Sequence, residues 1–316
     1  MEKARFAAID LGTNSCKITI TDENGNPVYR NATSVMLGEN LQKTKKISLE
    51  AKERTLNCLF DYKQKLDMNN VVAMRAIATA AMRKAKNGED FLKDIYNETR
   101  INFEIIDEKE EARLSLKGAM SHVKGQSKYV LVYDIGGGST EISLAHNNSK
   151  ADTIYSISIP WGTRNSSDEF KLNEYDPEIA EKLKEKILFY IKRFIKNSEY
   201  EKYKDQTKAI ATSSIPLRLV SMIKGFEYYD RNQSDGLNAT IEDINKKIEE
   251  ILKMTEEERD ASPYIGKYRG PIFISACIIF KTIYDALELI GLTASLRAAQ
   301  EAIIEELTQE WSNKQS

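Results

Sequence analysis

Two glycine turns, each placed between two short apolar runs, constrain the fold of this chain more than any other feature. The first lies in AAIDLGTNSCKITI and the second in LVYDIGGGSTEISL, 124 positions later. The same offset joins three pairs of residues: Asp10 and Asp134, Gly12 and Gly136, Ser15 and Ser139. A strand, a turn and a strand that recur at a fixed spacing are typical of an internal repeat. The sequence therefore predicts two duplicated lobes.

The length and the order of the predicted elements give the domain organisation. At 316 residues the chain is about twice a common domain length, which favours two domains with a cleft between them as the active site. Strands followed by helices in each half predict an α/β class. We expect an N-terminal lobe over residues 1–121 and a C-terminal lobe over 122–292. The last helix, within 293–316, is expected to pack back on the first lobe.

Helical spacing predicts several elements near the turns. A helix headed by Ser48 should run to about Asp67, with five apolar residues on its inward face: Leu49, Leu56, Leu59, Phe60 and Leu66. A single helix capped by Thr79 is expected to reach about Thr99. Asp107 and Glu110 resemble a capping box. Four later helices are expected, at about 177–197, 240–254, 271–288 and from Ser295 onward.

Composition excludes several classes of function. The net charge of -2 comes with no basic block, so no DNA partner is expected. The longest apolar run, Ile272 to Phe280, is far shorter than the ~20 residues that span a bilayer, so no membrane partner is expected. The first residues lack a signal-peptide pattern, which predicts a cytoplasmic protein. Three cysteines without paired spacing predict buried apolar groups rather than disulfides or a zinc site.

The glycine turns predict phosphate binding, because missing side chains let backbone N–H groups approach phosphate oxygens. The candidate ligands are Gly12, Thr13, Asn14 and Ser15 in the first turn, and Gly136, Gly137, Gly138, Ser139 and Thr140 in the second. Neither turn matches a P-loop or a dinucleotide fingerprint. One glycine turn alone is more often only a tight hairpin. Two copies with an Asp at the same place favour phosphate binding.

Four segments, in this order, carry a family resemblance: AAIDLGTNSCKITI, AIATAAMRKAKNGEDFL, EIIDEKEEARLSLKGAM and LVYDIGGGSTEISL. They resemble the exopolyphosphatase and guanosine pentaphosphate phosphohydrolase family, in its short, alphaproteobacterial-like, two-domain form. The resemblance implies a duplicated actin/sugar-kinase/Hsp70-like (ribonuclease H-like) fold with an interlobe cleft. It also implies polyphosphate or guanosine penta- or tetraphosphate as ligand, Mg²⁺ as the divalent cation, and allows a homodimer.

The resemblance assigns roles to five further residues. Glu111, the second Glu of the EEAR segment, is the implied base that activates water, although a lone Glu on a helix is usually only a surface charge. Arg83 is the implied phosphate ligand, with a surface ion pair as its alternative. Asp134 and Glu141 are implied to hold Mg²⁺, mostly through water. Asp10 is equally well explained as a metal ligand or as a hydrogen-bond partner of its own hairpin.

The second half departs from the family pattern at three places. Relatives have a glycine-rich loop at Ser213-Ser214, a carboxylate at Arg269-Gly270-Pro271, and an acid and a glycine at Leu296-Arg297-Ala298-Ala299. The first hypothesis is a magnesium-dependent phosphohydrolase. The departures support a second one, a catalytically weak or inactive sensor of alarmone or polyphosphate. A third hypothesis, an actin-like ATPase or sugar kinase, lacks an adenosine-binding glycine pair.

Overall fold

The computed structural model describes residues 4–123, 125–148, 151–267 and 269–315. The chain divides into two compact units. The first comprises the described residues up to Leu114 and those from Ala299 onward, and the second runs from Ser115 to Ala298. The predicted divisions lie at 121/122 and 292/293.

The sheet of the first unit has five strands in the order β3-β2-β1-β4-β5. Their bounds are β1 Arg5–Leu11, β2 Ser15–Thr21, β3 Pro27–Ser34, β4 Val71–Ala78 and β5 Phe103–Ile105. The first three strands form the predicted antiparallel meander, and β4 and β5 extend the sheet in parallel. The central strand β1 reads almost continuously apolar because both faces of the sheet are covered.

The described residues of this unit also form six helices: α1 Leu41–Thr44, α2 Leu49–Met68, α3 Ala80–Lys84, α4 Gly88–Thr99, α5 Glu108–Ala119 and α13 Ala299–Gln315. The last residues of α5 already belong to the second unit. Helices α2 and α4 pack on one face of the sheet, against Ile9 and Ile18 of the central strands. Helix α13 covers the other face, where Ile303 and Trp311 pack with Phe6.

The predicted start of α2 at Ser48 is confirmed. Of the residues predicted on its buried face, two are exposed instead. The Ser48 hydroxyl caps the helix by accepting from the Ala51 amide at 3.2 Å. Leu49 is 79% exposed and Phe60 40% exposed. Leu59 and Leu66 are buried as predicted, and the other residues of the buried face are Ala51, Thr55, Cys58 and Tyr62. The Tyr62 hydroxyl donates to the Cys16 carbonyl at 2.8 Å, a tertiary contact that hydrophobicity alone does not indicate.

The single helix predicted from Thr79 to Thr99 is wrong, because α3 and α4 are separate. Between them, the Asn87 side chain bonds both the amide and the carbonyl of Ile47, at 2.9 and 3.0 Å. This contact from another part of the chain fixes the break. Within the described residues, the Thr79 side chain makes no capping hydrogen bond. The final helix begins at Ala299 and not at Ser295, because residues 291–295 form a strand.

The sheet of the second unit has six strands in the order β10-β11-β9-β6-β7-β8. Their bounds are β6 Tyr129–Ile135, β7 Thr140–His146, β8 Thr153–Ile159, β9 Thr207–Thr212, β10 Asn238–Thr240 and β11 Gly291–Ser295. As in the first unit, three antiparallel strands are followed by a parallel strand, here β9 beside β6. The predicted duplication is therefore confirmed at the level of sheet topology.

In the described part of this unit, seven helices accompany the sheet: α6 Thr163–Phe170, α7 Pro177–Ser198, α8 Ser214–Ile223, α9 Arg231–Ser234, α10 Ile241–Leu252, α11 Glu256–Ala261 and α12 Gly270–Ala286. Helix α12 is buried on nearly all sides, as its apolar sequence requires. Short 3₁₀ turns occur at Met120–His122, Tyr200–Lys202 and Lys204–Gln206. Across the described ranges, no helix is both long and apolar enough to cross a membrane. All three cysteines are free and buried, as predicted.

Candidate functional site

The two glycine turns have the same backbone geometry. Gly12 donates its amide to the Ser15 carbonyl at 3.0 Å, and Gly136 donates to Ser139 at 3.0 Å. A Cβ added to either glycine would lie 3.2 Å from that serine oxygen. The repeat seen in the sequence is therefore a repeat of one tight turn, and each copy stands between the first two strands of its sheet.

The first turn is held from behind by backbone hydrogen bonds. The Asn14 carbonyl accepts from the amides of Val35 and Met36, both at 3.0 Å. The Thr13 carbonyl accepts from Gly38 at 2.8 Å. The side chains of Thr13 and Asn14, both predicted phosphate ligands, are largely buried. The position of the turn is therefore fixed by the segment that follows β3.

The second turn is held by the N-terminus of α6. Its three glycine carbonyls accept from this helix: Gly136 from the Thr163 amide at 2.9 Å, Gly137 from the Arg164 amide at 2.8 Å, and Gly138 from the Asn165 side chain at 3.1 Å. Gly162 precedes the helix, and a Cβ there would lie 2.5 to 2.6 Å from backbone atoms of the turn. Only glycine allows this approach.

This contact has an electrostatic consequence. Because the turn's carbonyl oxygens face donors of α6, their negative charge is neutralised within the protein and does not repel a bound anion. The Thr140 hydroxyl donates to the Trp161 carbonyl at 2.8 Å and so helps to hold the same contact. Asn165 was not among the predicted site residues, and its Oδ1 atom also accepts from the Gly162 amide at 2.7 Å. This bond is one half of a capping box, the side chain at the third helical position accepting from the N-cap amide, and Gly162 has no side chain to supply the other half.

The aspartates at the two turns have different partners. Asp10 faces Lys17 across the β1–β2 ladder, and their charged atoms lie 3.6 Å apart. At the equivalent place in the second unit, Asp134 faces Glu141 across the β6–β7 ladder. A lysine therefore compensates the first aspartate, whereas the second stands opposite another carboxylate. Like charges directly opposite each other are destabilising unless a cation offsets them.

The acidic pair of the second unit is suited to a divalent cation. Asp134 accepts from the Ser115 hydroxyl at 3.1 Å, and the nearly buried Glu141 accepts from Ser158 at 2.9 Å. Within the part of the chain that the structure describes, no cluster of three or more acidic, His or Cys side chains could enclose a metal. Magnesium needs only one or two carboxylates when waters and phosphate oxygens complete its shell. The residues therefore fit Mg²⁺ at Asp134 and Glu141 better than at Asp10.

Arg83 and Glu111, separated by 28 positions, form an ion pair. The Arg83 Nη1 atom donates to the Glu111 Oε2 atom at 2.8 Å and to the Ile106 carbonyl at 2.7 Å. The two side chains are only 13% and 15% exposed. The Arg83 Nη2 atom is buried and has no hydrogen-bond partner among the described residues. The pair thus orients one carboxylate and leaves one guanidinium nitrogen for an additional acceptor.

The neighbouring Glu110 has a different environment. The Asp107 carboxylate caps α5 by accepting from the Glu110 amide at 2.8 Å, as predicted. The Glu110 carboxylate bonds Arg113 at 2.7 Å and Arg75 at 3.0 Å. The hydrogen bond from Arg113, more than that from Arg75, lowers the pKa of Glu110, although partial burial opposes the shift. Glu110 is therefore part of an ion-pair network, in addition to its place in the cap.

The predicted site residues divide between the two units. The first unit contains Asp10, the first turn, Arg83 and Glu111, and of these Arg83 and Glu111 are in direct contact. The second unit contains Asp134, the second turn and Glu141, which belong to one hairpin. The roles assigned to these residues stay predictions.

Comparison with known proteins gives the family. Residues 18–310 match the Ppx/GppA phosphatase family. A bifunctional 3-dehydroquinate synthase/phosphatase of Fusobacterium nucleatum is 31% identical over 290 residues, which are 88% of this chain and 43% of that protein. The chain thus spans less than half the length of this relative.

Three solved structures share the fold over nearly the whole chain. An exopolyphosphatase-like protein has a TM-score of 0.88 at 22% identity, covering 98% of this chain and 100% of that one. An exopolyphosphatase from Cytophaga hutchinsonii has 0.84 at 23%, covering 97% and 98%. The Aquifex aeolicus member of the Ppx/GppA family has 0.76 at 23%, covering 99% of each chain. At these identities the likeness concerns the fold, and the predicted actin-like α/β class is confirmed.

Proposed function

The chain belongs to the Ppx/GppA phosphatase family, and we propose that it releases the terminal phosphate from inorganic polyphosphate or guanosine pentaphosphate. The observation that carries this proposal is the pairing of Glu111 with Arg83. A largely buried carboxylate beside a guanidinium with an unused nitrogen combines a proton acceptor and a phosphate ligand in one place.

In the proposed reaction, Glu111 accepts a proton from a water molecule as the water oxygen attacks the terminal phosphorus. A P–O bond to water forms, the bridging P–O bond breaks, and the shortened chain leaves with the electron pair of that bond. Such transfers depend mainly on in-line positioning and on neutralising charge at the transferred group. General-base assistance contributes ~100- to 10,000-fold to the rate.

The glycine turns and the acidic pair account for the rest of the binding energy in this proposal. Backbone N–H groups of the turns hold phosphate oxygens, while Asp134 and Glu141 hold Mg²⁺ together with water. When bound, Mg²⁺ supplies positive charge at the phosphate oxygens. A cytoplasmic location, the absence of a DNA partner and a homodimer remain predictions beside this proposal.

A sensor without turnover is the second candidate. One observation favours it: the Glu111 Oε2 atom already accepts from Arg83 at 2.8 Å, so this one of the two carboxylate oxygens is occupied while the ion pair persists. In this alternative the chain binds the same phosphate compounds and does not hydrolyse them.

Phosphate release distinguishes the two candidates. The purified chain is incubated with long-chain polyphosphate or guanosine pentaphosphate, with Mg²⁺ or with EDTA, and released phosphate is measured by malachite green. The phosphohydrolase proposal expects Mg²⁺-dependent release from at least one substrate. No release from either, together with tight guanosine tetraphosphate binding by calorimetry, selects the sensor.

A further inference from the structure

Two of the three cysteines lie side by side in the core of the first unit. Cys16 belongs to β2 and Cys58 to α2, and their side chains form a hydrogen bond with each other. Both are buried in the same hydrophobic cluster, Cys16 completely and Cys58 with 4% of its surface exposed. The fold therefore brings together two thiols that no spacing in the sequence pairs, and the proposed reaction uses neither of them.

The backbone at Cys16 leads directly out of the first glycine turn. Cys16 follows Ser15, whose carbonyl accepts from the Gly12 amide at 3.0 Å. Helix α2 contacts this backbone as well, because the Tyr62 hydroxyl, one turn after Cys58, donates to the Cys16 carbonyl at 2.8 Å. A change in the position of α2 against β2 would therefore act on the end of the turn.

The two thiols differ in acidity. Hydrogen bonds from Cys16 and then from Thr33 lower the pKa of Cys58, although burial opposes the shift. Burial, and then the contact with Cys58, raise the pKa of Cys16. Cys58 is therefore the one that ionises more readily, while Cys16 keeps its proton. A thiolate is the nucleophile in cysteine oxidation, and a neighbouring thiol can convert the first product to a disulfide.

We propose that Cys58 and Cys16 form a peroxide-sensitive pair that closes to a disulfide beside the first glycine turn. The Cys58 sulfur attacks one oxygen of hydrogen peroxide, the O–O bond breaks, and the departing hydroxide takes up the proton that Cys58 had released. The Cys16 sulfur then attacks the sulfenic acid at Cys58, an S–S bond replaces the S–O bond, and the second hydroxide combines with the Cys16 proton. Two thiols and one peroxide thus give one disulfide and two waters.

The burial of the pair favours a small oxidant. Only 4% of Cys58 is exposed, so hydrogen peroxide can reach its sulfur through a local opening of the structure. A large disulfide reagent would require α2 and β2 to separate over a much wider area. The proposal therefore concerns peroxide and not exchange with a large disulfide.

Closure of the disulfide would disturb the first turn. A disulfide bond is ~2.05 Å long, whereas non-bonded heavy atoms stay ~3.5 to 4.0 Å apart, so the two sulfurs must approach by roughly 1.5–2 Å. The close-packed core leaves little room for side-chain rotation, so β2 and α2 take up part of this movement. That the movement slows hydrolysis rests on the proposed function, in which the turn holds phosphate.

Peptide mapping of the wild type tests the pairing directly. The reduced full chain is treated with hydrogen peroxide, the excess is removed with catalase, and the remaining thiols are alkylated in denaturant before digestion. We expect two peptides joined through Cys16 and Cys58, separated again by dithiothreitol, with Cys277 alkylated. Absence of the joined peptides overturns the proposal, whether both thiols are alkylated or Cys58 is oxidised further to a sulfinic acid.

Cys58→Ala and a matched control, Cys277→Ala, separate the pair from general oxidative damage. Cys277 is also free and buried, but it lies in α12 of the second unit. After peroxide treatment, phosphate release should fall roughly 10- to 100-fold in the wild type and in Cys277→Ala, and dithiothreitol should restore it. Cys58→Ala should keep its untreated rate, and a loss equal to that of the wild type overturns the role of the pair. If Cys58→Ala does not fold, Cys58→Ser replaces it with the same expectation.

Failure of the pair and failure of the proposed function are distinguishable. The joined peptides are detected by mass spectrometry and require no hydrolysis, whereas the proposed function is judged by phosphate release before oxidation. A wild type that forms the disulfide and never releases phosphate would retain the pair and lose the enzyme. A wild type that releases phosphate and forms no disulfide would retain the enzyme and lose the pair.

Discussion

Substitution of Gly162 by alanine should directly disturb the second glycine turn. In Gly162→Ala the added methyl carbon would lie 2.5 Å from the Gly136 carbonyl oxygen and 2.6 Å from the amide nitrogens of Gly138 and Ser139. These neighbours are backbone atoms that cannot rotate away, so α6 must move off the turn. The three hydrogen bonds between α6 and the turn carbonyls would then lengthen or break.

The size of the effect follows from these contacts. Overpacking costs ~1–3 kcal/mol, and each weakened hydrogen bond adds ~0.5–1.5 kcal/mol. We expect a loss of about 3–5 kcal/mol, which corresponds to a fall in melting temperature of roughly 6–20 °C. The Michaelis constant for the phosphate substrate should rise because the N–H groups of the turn lose their alignment.

Gly25→Ala is the matched control for this variant. Gly25 lies in an exposed turn with φ +79 and no atom within 4 Å of an added Cβ. The same substitution there should cost only ~1–2 kcal/mol of backbone strain and leave hydrolysis unchanged. Differential scanning fluorimetry and phosphate release measure both variants. If Gly162→Ala melts and hydrolyses like the wild type, α6 does not rest on the turn as described.

Two further predictions concern the first unit. Arg83→Lys keeps the positive charge but loses the planar guanidinium, whose Nη1 atom bonds Glu111 and Ile106 and whose Nη2 atom is the proposed phosphate donor. The kcat/KM for phosphate release should therefore fall roughly 10- to 100-fold, and wild-type kinetics would contradict this role. Glu110→Gln should lower the melting temperature at pH 7, because the lowered pKa of Glu110 means that its ionised form stabilises the fold above its ordinary pKa. That contribution is lost as the pH falls below the ordinary pKa of Glu and through the lowered pKa of Glu110, so the difference in melting temperature between the two proteins should shrink with falling pH. A difference that does not shrink would contradict the linkage.

The local sequence was sufficient to predict the strands and turns. It was not sufficient to predict helix boundaries that depend on contacts between residues far apart in the chain. The offset between the two Asp-Gly turns indicated the duplication because a repeated tight turn needs the same residue types twice. The break before α4 could not be predicted, because Asn87 is fixed by the backbone of Ile47. The start of the last helix was misplaced because residues before it pair with β9.

The sequence was sufficient to predict which residue types form the candidate site, but not which of their side chains contact each other. Glycine, Asp and Glu in motif order indicated phosphate turns and an acidic pair. The ion pair between Arg83 and Glu111 joins two segments whose proximity no local pattern reveals.

The most direct measurement of the central claim is the kcat of Glu111→Gln beside that of Glu110→Gln. Gln preserves the size of the side chain at either position and removes the carboxylate that accepts the proton. For Glu111→Gln we predict a fall in kcat of about 100-fold or more, with tripolyphosphate affinity retained. Glu110→Gln, one residue away and paired with Arg75 and Arg113, should keep near-parent kcat at 25 °C. Parent-like turnover by Glu111→Gln would contradict the assignment of Glu111 as the base.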